Sequence, residues 1–207
     1  MTTSEVAQGL TSASADDDRR VDPRLARLAA TAAARGTVLL ANDGVLPLNP
    51  AARVAVFGRV QIDWFSVGYG SGGDVNAPYT TNLLDSLVKA GIAVDADLAE
   101  TYRRWCAAQP VAAPEWGRWP RFHPEMELDE AAVEAAAARA DVAVVVIGRA
   151  AGEDRENVLE PGSYYLTAPE RRLLERVAAR FERTVVIVDS GNVMDLSWAE
   201  GPGVSAL

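Results

Sequence analysis

Residues 141–158 read DVAVVVIGRAAGEDRENV. Six consecutive apolar residues, Val142 to Ile147, are β-branched or small and end at Gly148. A continuous apolar run of this length, closed by a glycine, fits a strand buried on both faces, as in a parallel sheet between helix layers. The residues that follow are of a different kind: Arg149, Glu153, Asp154, Arg155 and Glu156 crowd charge at the mouth of that strand.

Working outward, the same grammar recurs. RVAVFG (53–58), IAVDA (92–96) and RTVVIVDSG (183–191) are short apolar runs. Between them lie helical patterns: TTNLLDSLVKAG (80–91), DLAETYRRWCAAQ (97–109), DEAAVEAAAARA (129–140) and TAPERRLLERVAARF (167–181). Strands alternating with amphipathic helices predict an α/β fold, a mostly parallel sheet flanked by helices. Upstream, DPRLARLAATAAARG predicts a helix opened by Pro23 and closed by Gly36, with Leu25, Leu28, Ala29 and Ala32 on one face. TVLLAND (37–43) is short and apolar and is followed by the turn NDGVLP. Residues 110–128 form a loop rich in Pro and Trp. Residues 1–21 are a polar leader with Asp16, Asp17 and Asp18 in a row, expected to be disordered. The ending WAEGPGVSAL stops where another strand is expected, which suggests a sandwich truncated at its C-terminus.

Composition narrows the chemistry. The chain has 207 residues, 49% apolar, with a net charge of −9. That balance disfavours a nucleic-acid or anionic-membrane partner. Cys106 is the only cysteine and His123 the only histidine, so most zinc sites and an intrachain disulfide are excluded. Nothing calls for a metal or cofactor. The absence of an apolar signal core in the leader points to a reducing, cytoplasmic setting.

In open parallel sheets, ligands bind outside the carboxyl ends of the strands. Two loops qualify. The loop after VAVFG carries Gly68, Gly70 and Gly73 in G-x-G-x-x-G spacing, with Asp95 about twenty residues on, which imitates a dinucleotide fingerprint. Nine residues separate Gly58 from Gly68, however, and Asp74 and Pro78 stand where a helix N-terminus should hold pyrophosphate. A loop shaping a polar ligand site fits better. The second is the acidic loop 149–163. A carboxylate there can act as general acid if its surroundings raise its pKa, or Glu153 to Glu156 can be solvated charges pairing with Arg149 and Arg155. Trp116 and Trp119 can stack on sugar rings or pack the 110–128 loop, and His123, between Phe122 and Pro124, suits loop packing.

Four segments in order resemble the α/β sandwich domain of glycoside hydrolase family 3, the β-glucosidase family: GTVLLANDGVLPL, GSGGDVNAPYTTNLLDSLVKAG, ADVAVVVIGRAAGEDRENVLEPGSYYLTAPERRLLERV and TVVIVDSGNVMDLSW. The resemblance covers residues 22–207. It implies hydrolysis of β-linked glycosides or oligosaccharides with retention. It further implies an aspartate nucleophile on a separate barrel domain, absent from this chain, and an acid/base glutamate from the sandwich. The family's SGEG segment matches AGED here, so the acid/base maps to Glu153, with Glu156 as the alternative because Asp154 stands where many members have glycine. Asp74, Arg149, Arg155 and Trp116 are the candidate substrate contacts. The other class of function compatible with the residues is a non-catalytic nucleotide- or sugar-binding module.

Overall fold

A computed structural model describes residues 22–71, 79–112, 115, 119–153, 156–201 and 203–207. The chain forms two units, residues 1–38 and 39–207. The described part of the first is helix α1, Pro23–Gly36, opened by Asp22, whose carboxylate accepts from the Arg24 amide. Its expected apolar stripe is not buried: Leu25 and Leu28 are both exposed. The disorder expected of residues 1–21 lies outside the described residues.

The second unit is the expected α/β sandwich. Strands β1 (Arg53–Phe57), β2 (Ala93–Val94), β3 (Val142–Arg149) and β4 (Thr184–Ser190) form one parallel sheet in the order β2-β1-β3-β4. All eight residues of β3 are buried, as its unbroken apolar run requires. Period-two alternation divides them. Ala143, Val145 and Ile147 join Phe57, Tyr102, Val133, Leu173 and Val177 in one core; Val142, Val144 and Val146 join Val54, Val56, Leu84 and Val185 in the other. Helices α3 (Ala96–Ala108), α4 (Glu130–Ala137) and α5 (Ala168–Ala178) bury residues in the first core, and α2 (Leu83–Lys89) in the second. Each of the four starts at a side-chain cap, from Asn82, Asp95, Asp129 and Thr167 in turn. A cap of this kind contributes about 1 kcal/mol.

Residues 37–43 form no regular strand, but four backbone hydrogen bonds join residues 40–43 to 205–207, and Asn42 makes an antiparallel bridge to Ala206. Leu39 and Leu40 stay exposed. The C-terminal residues pair with the sheet as well. Ala206 bridges Val185 in parallel, and its carbonyl accepts from the Val186 amide at 2.8 Å. Residues 205–207 thus run along the outer edge of β4.

Candidate active site

The carboxyl ends of β1, β3 and β4 converge, because parallel strands share that edge. Gly58 ends β1 at φ 97° with its Cα against β3; a Cβ there would lie 2.1 Å from the Val146 carbonyl oxygen. The chain turns through Arg59–Gln61 and runs to Ser71. It is tied at three points. Arg59 is buried and pairs with Asp63 at 2.6 Å. The Phe65 amide donates to Asp189 Oδ2 at 3.0 Å, on β4. Tyr69 makes a parallel bridge to Gly152: its amide donates to Ala151 at 2.8 Å, and its carbonyl accepts from the Glu153 amide at 3.0 Å. The two glycine-bearing loops singled out in the sequence are therefore stitched together at one edge of the sheet.

That stitching explains the imitation of a nucleotide fingerprint. Gly70 has φ 113°, and a Cβ there would stand 2.5 Å from the Cβ of Glu153. Gly152 lies flat on the buried indole of Trp119, where a Cβ would meet Nε1 at 2.2 Å. These glycines let two loops and a tryptophan approach one another. Asp95, the would-be ribose ligand, caps α3 and pairs with Arg139 at 2.9 Å, with its side chain 2% exposed. Gly73 and Asp74 lie outside the described residues.

Glu153 stands exposed at the tip of this arrangement. Ser71 donates to its Oε2 twice, from the amide at 2.8 Å and from the hydroxyl at 2.6 Å. These bonds hold the carboxyl below its ordinary pKa, the hydroxyl contributing more than the amide. Glu156 is exposed on the same loop, and Asp154, Arg155 and Trp116 lie outside the described residues.

Arg149, expected both as a substrate contact and as a local partner of the acidic loop, is neither of these. It is 1% exposed and all five N–H donors are engaged. It forms a bidentate pair with Glu170 at 2.7 and 2.8 Å and donates to the carbonyls of Gly148, Ser163 and Tyr165. Glu170 also closes the capping box of α5 with Thr167. Arg149 thus fastens the return of the acidic loop to the start of α5. The pairing partner was not legible because Glu170 lies twenty-one residues away and reads in sequence as an ordinary first-turn glutamate.

Three further residues belong to this edge and escaped the sequence reading. Ser71 sits unremarked inside YGSGG. Asp189 is the next-to-last residue of β4, and partial burial pushes its carboxyl up to about 6 against the opposing Phe65 amide. Glu125 is tucked under the loop after β1, accepting from the amides of Arg59 and Met126 at 2.7 and 2.8 Å; desolvation pushes it up to about 7. A rule that any carboxylate or hydroxyl at a strand's carboxyl end faces the site would have flagged Asp189. His123 packs as expected: its ring stacks on Phe65 at 4.3 Å, and burial lowers its pKa to about 4. Beside it opens a cleft of about 420 Å³ lined by Asp63, Phe65, Tyr69, Asn82 and His123 among others. Among the described residues no group of His, Cys, Asp and Glu could hold a metal ion, and no helix is long and apolar enough to cross a membrane.

Known proteins share this architecture. Residues 37–207 match the glycosyl hydrolase family 3 C-terminal domain. The chain is 40% identical over 173 residues to a beta-glucosidase of Ruminococcus albus, covering 83% of this chain and 18% of that protein. It is 32% identical over 196 residues to beta-glucosidase A of Butyrivibrio fibrisolvens, covering 23% of it. The structure of a beta-glucosidase from Paenibacillus barengoltzii superposes with a TM-score of 0.86 at 40% identity, over 89% of this chain and 21% of that one. Beta-glucosidase 3B from Thermotoga neapolitana, solved in complex with α-D-glucose, gives 0.77 at 30% identity, over 89% and 27%. The chain spans roughly a fifth to a quarter of the length of these relatives. With matched sequence over most of its length and the same sheet, this chain belongs to the glycosyl hydrolase family 3 C-terminal domain family.

Proposed function

We propose that this domain supplies the general acid/base of a retaining β-glycosidase, and that Glu153 is that residue. The observation that carries the reading is the placement of Glu153: an exposed carboxylate at a strand-end loop, held through one oxygen by Ser71, with Oε1 making no hydrogen bond among the described residues. In a retaining mechanism one carboxyl group protonates the leaving oxygen and later activates water, while a second, ~5–5.5 Å away, attacks the anomeric carbon. The second carboxylate belongs, on this reading, to a barrel domain that closes over the loop. Closure expels water, and desolvation then raises the Glu153 pKa towards the range in which it can give a proton. The substrate is a β-linked glucoside or related sugar, in keeping with relatives that are beta-glucosidases. Asp74, Arg155 and Trp116 remain the proposed sugar contacts; Arg149, with every donor engaged, is not among them.

The test is a chimera in which residues 39–207 replace the corresponding domain of the Paenibacillus barengoltzii enzyme. Glu153→Ala lowers turnover of substrates with poor leaving groups by ~10²–10⁴-fold. Activated aryl glycosides suffer much less, and azide restores deglycosylation. The same pattern in Glu156→Ala, with Glu153→Ala active, would move the role to Glu156. The 207-residue chain alone hydrolyses no nitrophenyl β-glucoside or β-xyloside. Turnover above a Glu153→Ala control would place both carboxylates in this chain and end the two-domain reading.

A further inference from the structure

The contact between Ser71 and Glu153 joins the two loops by their side chains as well as their backbones. Both donors of Ser71 converge on a single oxygen, Oε2. They differ in kind. A hydroxyl donates or accepts according to its partner, but a backbone amide only donates. A proton on Oε2 would therefore face the Ser71 N–H and break that bond. A proton on Oε1 meets no donor among the described residues. The position of the amide is fixed in turn by the Tyr69–Gly152 bridge two residues back and by Gly70, whose φ of 113° and lack of Cβ allow the chain to pass over Glu153.

We propose that Ser71 is the positioning residue of Glu153, holding Oε2 so that the transferable proton is carried on Oε1. This rests on the reading of Glu153 as acid/base. In the first half-reaction the glycosidic C–O bond breaks as the nucleophile bonds to the anomeric carbon, and the Oε1 proton passes to the leaving oxygen. The carboxylate that remains receives both Ser71 donors, so the charge is met as it forms. In the second, water bonds to the anomeric carbon, the bond to the nucleophile breaks, and the water's proton goes to Oε1. One oxygen stays anchored through the cycle while the other does the exchange.

The first readout needs no activity. In the 207-residue chain, the side-chain carboxyl ¹³C resonance of Glu153 is titrated, with Glu153→Gln to assign it. Ser71→Ala removes the hydroxyl donor, keeps the amide, and moves the midpoint upward; Ser71→Thr keeps both donors and leaves it in place. An unmoved midpoint in Ser71→Ala overturns the proposal. In the chimera, Ser71→Ala then moves the alkaline limb of the kcat/KM profile upward by the same amount, with KM little changed. If the midpoint moves and the limb does not, the hold of Ser71 on Glu153 stands and the assignment of Glu153 as the acid falls.

Discussion

Arg149, the last residue of β3, and Glu153, in the loop that follows, lie four residues apart, and both are charged. Their surroundings are opposite. Arg149 is buried, bidentate with Glu170, with all five donors engaged. Glu153 is exposed, with Oε2 held by Ser71 and Oε1 making no hydrogen bond among the described residues. A buried charge must be fully partnered or it costs several kcal/mol, so its donors are unavailable to anything else. An exposed charge tolerates a half-filled shell, and chemistry needs that open half. In this loop the number of unengaged donor and acceptor sites, more than the charge itself, separates a fastener from a candidate reagent.

The sharpest way to break this contrast is to remove each charge from the 207-residue chain and follow urea unfolding. Arg149→Ala leaves Glu170 buried beside orphaned carbonyls and costs about 3–5 kcal/mol. Glu153→Ala leaves the unfolding midpoint where it was. Arg149→Ala without loss of stability would mean that solvent reaches Glu170 freely. A large loss from Glu153→Ala would make Glu153 structural and undercut its proposed role.

A smaller effect tests whether the loops are held together as closely as the glycines indicate. Gly152→Ala sets a Cβ 2.2 Å from the Trp119 indole, and Gly70→Ala adds a Cβ against Glu153 at a φ that favours glycine. Each destabilises the loop pair by about 1–3 kcal/mol, the usual cost of overpacking. Faster amide exchange at Tyr69 and Glu153, the two donors of the bridge, should accompany it. Gly36→Ala, in α1 with nothing within 4 Å, is the control and leaves both amides unchanged.

These two loops also mark what was legible in the sequence. The sheet was: an unbroken run such as Val142–Ile147 has few places to go but between two layers, and amphipathic helices alternate with the apolar runs. The cap at Asp95 was not, since that residue read as the end of a strand. The pairing of residues 40–43 with 205–207 was not either, because nothing in either segment names the other as its hydrogen-bonding partner. The placement of Glu153 at a strand end was legible from the loop's position. The reach of Ser71 to Glu153, across 82 residues of sequence, was not. Nor was the withdrawal of Arg149 into the interior, since a charged residue at a strand mouth looks the same whether it points inward or out.

The smallest expected effect concerns the pH dependence of stability, and it sets the pocket beneath the first loop against the exposed tip. Three groups there titrate abnormally. Glu125 is raised from 4.5 to about 7 by desolvation, with Glu170 adding repulsion and the Arg59 and Met126 amides opposing. Asp189 is raised from 3.8 to about 6. His123 is lowered from 6.5 to about 4, with Asp63 opposing. A carboxyl with a raised folded pKa binds more protons folded than unfolded, so its contribution falls as pH climbs, between about 4.5 and 7 for Glu125 and between about 3.8 and 6 for Asp189. A histidine with a lowered folded pKa does the reverse, so stability rises between about 4 and 6.5. The two carboxyls together outweigh the histidine, so the wild-type chain loses stability as pH climbs from 4 to 7, less steeply than the carboxyls alone would dictate. Single substitutions separate the trends. In Glu125→Gln the profile flattens, because His123 is then opposed only by Asp189. In His123→Phe, which keeps a ring on Phe65, it tilts further downward. Each unit of displaced pKa corresponds to about 1.4 kcal/mol, and water reaching Glu125 and Asp189 keeps their shares below the full amount. Thermal midpoints of the three chains at pH 4, 5.5 and 7 decide it: three parallel curves would mean that these groups titrate at their ordinary values, and that the loop after β1 rests on hydrogen bonds alone.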